Sequence, residues 1–176
     1  MKVFAEFFEE NDIQYRTKTL LQFGNSWDLI GTIVMKNPGK AFPTNKIEEN
    51  LLVQIKGHFS KLMVNETNWF EFNSDSTMRQ VENLFNGYYI GKSFELNGVI
   101  QIFNLFNIRE RKIEIAKELL KNNNSKYLYP NNDEVINSFQ NKPVYLSFGW
   151  EYINVNEEQR DRWCLRLRAV LSARIF

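Results

Sequence analysis

The sequence predicts an α/β fold, a three-layer α/β/α sandwich around a central, mainly parallel sheet. Two observations carry that prediction. Two short apolar runs, at 29–35 and 99–103, read as strands buried on both faces, and a third strand is read over 143–148. Segments of helical period lie between them, the order that right-handed βαβ crossovers require.

The elements follow in chain order. Residues 1–12 read as an N-terminal arm or helix. Residues 13–23, IQYRTKTLLQF, are β-branched and aromatic and read as an extended segment or hairpin arm. Gly24-Asn25-Ser26 is a turn. The first buried strand, Leu29 to Met35, stops at Lys36-Asn37-Pro38-Gly39, where Pro fixes φ and Gly permits a positive one. A helix over 44–63 takes Thr44 as N-cap and carries Ile47, Leu51, Ile55, Phe59 and Leu62 on one face. Residues 65–75 are a polar and aromatic loop. Asp75 caps a second helix over 76–86, with Met78, Val81 and Phe85 inward and Gly87 at its end.

The second buried strand runs over 99–103 and ends in Asn104-Leu105-Phe106-Asn107. A third helix spans about 110–121. Pro130-Asn131-Asn132-Asp133 then turns into a short helix through Val135, Ile136 and Phe139. The third strand closes at Gly149-Trp150. A last helix, about 157–172, buries Trp163, Leu167, Val170 and Leu171, and carries Arg160, Arg162, Arg166 and Arg168 mostly elsewhere. Those arginines read as a solvated face, with phosphate contact the sharper alternative.

A length of 176 residues fits a single domain over 1–176, and 43% hydrophobic with 15% aromatic residues suffices for a core. The net charge of +1 neither demands nor excludes a polyanion. One cysteine, Cys164, and one histidine, His58, exclude an internal disulfide and a Cys/His zinc site. No cofactor or metal is expected. His58 reads as a partly buried structural residue, and any Ser-His-Asp triad would have to use it. Glu6, Glu9 and Glu10 interrupt the N-terminal apolar stretch, so it is no signal peptide. No run reaches the roughly 20 residues of a membrane span. The expected compartment is the cytoplasm.

In open α/β sheets ligands bind beyond the carboxyl ends of the strands. Those ends carry Asn37-Pro38-Gly39, then Asn104 with Phe106 and Asn107, then Gly149-Trp150. The helix start at Asp75-Ser76-Thr77-Met78-Arg79 joins them. The set is rich in amides, which both donate and accept and so suit the edge of a nucleobase. Phe106 or Trp150 would stack on it. Each residue also has a plain structural reading: Asn-Pro-Gly as turn chemistry, Asp75 as a cap, Trp150 as core. No glycine spacing matches a Walker or Rossmann loop.

These blocks resemble the domain of unknown function 1643 family. Its pattern of Asn-Pro, Asp-x-Thr-x-Arg, Asn-Leu-Phe, Asn-Asp and a strand ending near Trp-Gly is matched in order. Here the blocks are Asn37-Pro38, Asp75 to Arg79, Asn104 to Phe106, Asn132-Asp133 and Phe148 to Trp150. More distantly, the order is similar to the uracil-DNA glycosylase superfamily. That likeness implies that Asn37 in its Asn-Pro-Gly turn places a water, and that Asn104 reads the base. Both families also carry a His-Pro block near the C-terminus. The chain ends at Ala173-Arg174-Ile175-Phe176 without one, truncated before the block or having lost it, so full glycosylase activity is not expected.

Three functions follow as expectations. The first is a glycosylase-like domain binding a nucleobase, nucleotide or nucleic acid at the strand ends, with weak or no catalysis. Its residues are Asn37, Pro38, Gly39, Asp75, Thr77, Arg79, Asn104, Phe106, Asn107, Asp133, Gly149 and Trp150. The second is an enzyme on a nucleotide-like or modified-base substrate, with Asn37 and Asp75 catalytic and Arg79 an anion clamp. The third is a non-catalytic protein-interaction domain using Trp69, Phe70 and Phe72.

Overall fold

The computed structural model describes residues 1–59, 68–121, 123–130, 135 and 142–147. The expected final helix with its arginines lies outside the described residues, as do Asp133, Gly149 and Trp150.

The architecture departs from the predicted sandwich. Seven strands form one mixed sheet in the order β4-β5-β1-β2-β6-β3-β7. They are β1 (Lys2–Glu10), β2 (Ile13–Phe23), β3 (Leu29–Met35), β4 (Pro43–Lys46), β5 (Trp69–Phe72), β6 (Gly98–Asn104) and β7 (Val144–Ser147). Three short helices accompany them: α1 (Glu49–His58), α2 (Ser76–Phe85) and α3 (Ile113–Lys121). Four of the six strand pairings are antiparallel. Only β6–β3 and β3–β7 are parallel. The parallel part is thus the three strands that suggested the fold class, and it is the smaller part of the sheet.

The N-terminal residues explain the difference. They are neither arm nor helix but a strand, joined to β2 by Asn11 (φ 53°) and Asp12 (φ 59°). Two consecutive positive-φ residues make a two-residue hairpin turn whose twist matches its strands. Asn and Asp tolerate that region because their short polar side chains bond locally. Burial runs through Val3, Phe4, Ala5 and Glu6, since β5 pairs on the far side of β1.

Two other expectations change. The helix expected over 44–63 gives up its first part to β4, an exposed edge strand where the Thr44 hydroxyl donates to the Glu71 carbonyl at 3.0 Å. Thr44 therefore caps nothing; the N-cap of α1 is Glu48, without a side-chain bond. The expected loop over 65–75 contains β5. Trp69 is fully buried and Phe72 nearly so, which removes the exposed contact patch proposed for them. Among the described residues the exposed aromatics are instead Phe42, Tyr145 and, in the segment after α2, Tyr88, Tyr89 and Phe94.

Packing follows the alternation of the strands. Ile55 of α1 and Phe59 meet Phe4, Leu20, Trp69 and Val99. Met78 and Val81 of α2 meet Val3, Ala5, Leu21, Ile33, Ile100 and Ile102. Because Phe4 alternates with Val3 and Ala5, and Leu20 with Leu21, α1 and α2 lie on opposite faces. A third cluster, around Phe8, Tyr15, Phe106, Ile108 and Ala116, seats α3.

His58 ends α1 and reaches the chain before β3, its Nδ1 lying 3.0 Å from the Trp27 carbonyl. Burial holds its pKa below the ordinary 6.5, and the carbonyl offsets part of that. The folded protein therefore resists the proton more than the unfolded chain does. Stability from this source is whole above about pH 6.5 and is lost as pH falls below it toward the folded-state pKa. Urea midpoints measured between pH 7.5 and pH 5.5 should fall more in the wild type than in His58→Gln; equal slopes would show that His58 is not the titrating group.

Candidate functional site

The site begins with the turn that leaves β3. Asn37, Pro38, Gly39, Lys40 and Ala41 form no helix or strand, so their backbone groups need partners from elsewhere. Two arginines supply them. Arg109 donates from Nε to the Ala41 carbonyl at 2.6 Å and from Nη2 to the Lys40 carbonyl at 2.7 Å. Its Nη1 is held by Gln14 Oε1 at 2.7 Å. Arg16, from β2, donates through Nη2 to the Pro38 carbonyl. Asn37 closes the start of the turn, its Nδ2 donating to the Glu110 carbonyl at 2.6 Å. Gly39 has φ +68°, a conformation that an L side chain would strain.

Asp75 stands across from this turn as the N-cap of α2. Its Oδ1 accepts from the Met78 N–H at 2.9 Å. Its Oδ2 lies on the Gly39 side, 3.7 Å from where a Cβ at Gly39 would sit. Between the turn and the start of α2 is a cleft of about 420 Å³. Asn37, Gly39, Asp75 and Thr77, all singled out in the sequence, line it. Lys36, Lys40, Ser76, Arg111 and Ser147 line it as well. The first turn of α2 has no acidic residue of its own, so the Asp75 carboxylate at the cap is what its N–H groups and the positive end of the helix dipole meet there.

Arg16 gives the site its buried charge. It is 3% exposed and lies 5.6 Å from the centroid of the Phe72 ring. Burial lowers its pKa to about 10; the charge of Asp75 pulls it up and that of Arg109 pushes it down. Its Nε and Nη1 are buried without a hydrogen-bond partner. Burial also lowers the pKa of Arg109, with Glu110 opposing.

The remaining expected residues lie apart from the cleft. Pro38 is buried and acts through its carbonyl. Arg79 is exposed and does not line the cleft; its backbone N–H bonds the Asp75 carbonyl at 3.2 Å. Phe106 is 3% exposed within the cluster that seats α3, so it is core and no stacking surface. Asn104 and Asn107 line a different opening. Among the described residues no group of three acidic, His or Cys side chains is placed to hold a metal.

Sequence reasoning passed over Arg16, Arg109, Lys40 and Arg111. Arg16 is not marked locally, since its strand also carries Gln14, Lys18 and Gln22. For the others, only the fold brings them to the turn. The division of labour among the arginines is open to measurement. Arg109→Met should lose about 2 kcal/mol of stability in urea denaturation, because it leaves two carbonyls of the turn without their charged donor. Arg79→Met, at an exposed site, should stay within about 0.5 kcal/mol. Equal effects would reverse the assignment.

No protein-family model, no curated protein and no solved structure matches the chain.

Proposed function

We propose that the chain binds a nucleotide, or a small phosphorylated ligand of that kind, in the cleft between the Asn37–Ala41 turn and the start of α2, with little or no catalysis. The observation that carries this reading is the meeting of two sequence-distant blocks at one cleft. Asn37 and Gly39 come from the first, Asp75 and Thr77 from the second. The same two blocks take part in the resemblance to the domain of unknown function 1643 family.

The chemistry of the lining favours an anion. Lys40 and Arg111 add positive charge, and the hydroxyls of Ser76, Thr77 and Ser147 donate. Ser76 and Thr77 open α2, and helix starts receive phosphate, with the Met78 N–H already taken by Asp75. Asn37 commits its Nδ2 to Glu110, which leaves Oδ1 to accept an N–H from a base or sugar-linked group. Catalysis is supported less. Asp75 is the one carboxylate in the described lining, and half of it already caps α2. No His or Cys stands with it in that lining.

Isothermal titration with AMP, UMP and a short single-stranded oligonucleotide tests the reading against the matching nucleosides. The phosphorylated compounds should bind more tightly than the nucleosides and weaken with added salt. The double variant Lys40→Ala/Arg111→Ala should lose about tenfold or more in affinity, as expected for removing charge-assisted hydrogen bonds. No binding by any phosphorylated compound, or an unchanged double variant, sinks the proposal.

A further inference from the structure

The peptide between Pro38 and Gly39 is held on one side only. Its carbonyl accepts from Arg16, which is buried within the protein. The peptide is trans, so its N–H points the opposite way, away from Arg16 and toward the cleft that Gly39 lines. The peptide between Ala41 and Phe42 repeats the arrangement and shows what completes it. There the Ala41 carbonyl accepts from Arg109, and the Phe42 N–H donates to Asn73 Oδ1 at 2.9 Å. Asn73 belongs to the segment that leads into α2. Gly39 has no counterpart of Asn73: among the described hydrogen bonds, none takes the N–H of Gly39 or of Lys40.

The charges around the turn reinforce this polarity. Arg16 and Arg109 sit behind the carbonyls of Pro38, Lys40 and Ala41, so the N–H ends of those peptides are turned from the cations. The Nε and Nη1 of Arg16 have no hydrogen-bond partner, so no described carboxylate is bonded to it there. On the cleft side Lys36, Lys40 and Arg111 share the lining with one carboxylate, Asp75. Gly39 has φ +68°. Successive free N–H groups in a turn with such a residue make a concave seat for an anion.

We infer that the Gly39 and Lys40 N–H groups seat the terminal phosphate of a phosphomonoester, with Arg16 as the positioning residue that turns the Gly39 N–H outward. The inference rests on the reading of the cleft as a nucleotide site and narrows it to ligands that end in a phosphate. A phosphomonoester carries roughly 1.5 to 2 negative charges at pH 7 and three terminal oxygens, where a phosphodiester carries a single charge. The excess of cations over carboxylate around the turn favours the monoester. Asp75 opposes it: its Oδ2 lies on the Gly39 side, and its charge weakens the hold on a phosphate there.

Calorimetry and amide NMR on the full chain test this with AMP, inorganic phosphate and 3′,5′-cyclic AMP, which keeps the base and sugar but has no terminal phosphate. AMP should bind about tenfold or more tightly than the cyclic diester. AMP and inorganic phosphate should move the Gly39 amide proton downfield, and the cyclic diester should leave it in place. Arg16→Lys keeps a charge and a donor and should keep the preference for AMP. Arg16→Met should lose most of that preference together with the Gly39 shift. Asp75→Asn keeps the cap on α2 and removes the opposing charge, and should bind AMP about threefold or more tightly than the wild type. Where Arg16→Met does not fold, the wild type and Asp75→Asn decide. AMP binding with the Gly39 amide unmoved, or equal affinity for AMP and its cyclic diester, overturns the inference and leaves the reading of the cleft standing. Weaker AMP binding by Asp75→Asn overturns it too, since Asp75 would then accept from the ligand where the phosphate should sit. No binding of AMP at all overturns both.

Discussion

Much of this molecule depends on β6 being the seam between two kinds of sheet. It pairs antiparallel with β2 on one side and parallel with β3 on the other. All seven of its residues, Gly98 to Asn104, are buried. The two ladders differ in the spacing and slant of their hydrogen bonds, so one strand serves both only over a limited length. At its start β6 needs Gly98, with φ +143°: a Cβ there would come within 2.6 Å of the Asp28 carbonyl oxygen. At its end the strand lets go of β2 and follows β3, while Lys18, with φ +46°, lies where β2 shifts register against β1. Bulges of this sort re-aim side chains at the ends of pairing. Here the irregularity lies in β2, beside the end of β6.

The turn after β3 shows a related economy. A five-residue segment without regular structure is unstable unless its carbonyls are paired. Arg109 and Arg16 pair three of them from neighbouring elements, so the turn is fixed by the sheet and not by its own sequence alone. Burying Arg16 is expensive, since the penalty for a desolvated ion is several kcal/mol even after relaxation. Its bond to Pro38, the face of Phe72 and the nearby charge of Asp75 offset this in part. Two of its nitrogens are left unpaired. Local costs of this kind gather where a fold serves something besides stability.

The sequence was legible where a signal is local. The runs at 29–35 and 99–103 are buried strands that pair parallel, and the third strand joins them in parallel but is largely exposed. Asp75 caps α2 through its own carboxylate, and Gly87 follows with φ +83°. The antiparallel part was hidden for two reasons. The Asn11-Asp12 turn lacks the glycine that usually marks a hairpin. β1 and β5 each mix buried and polar positions over a stretch too short for periodicity to decide. Mistaking β1 for an arm then cost the class of the whole sheet, because β1 joins β5 and β4 to the rest. At the site, the turn and the helix start were visible as motifs. The arginines that hold the turn were not, because Arg109 lies 69 residues from Lys40 along the chain.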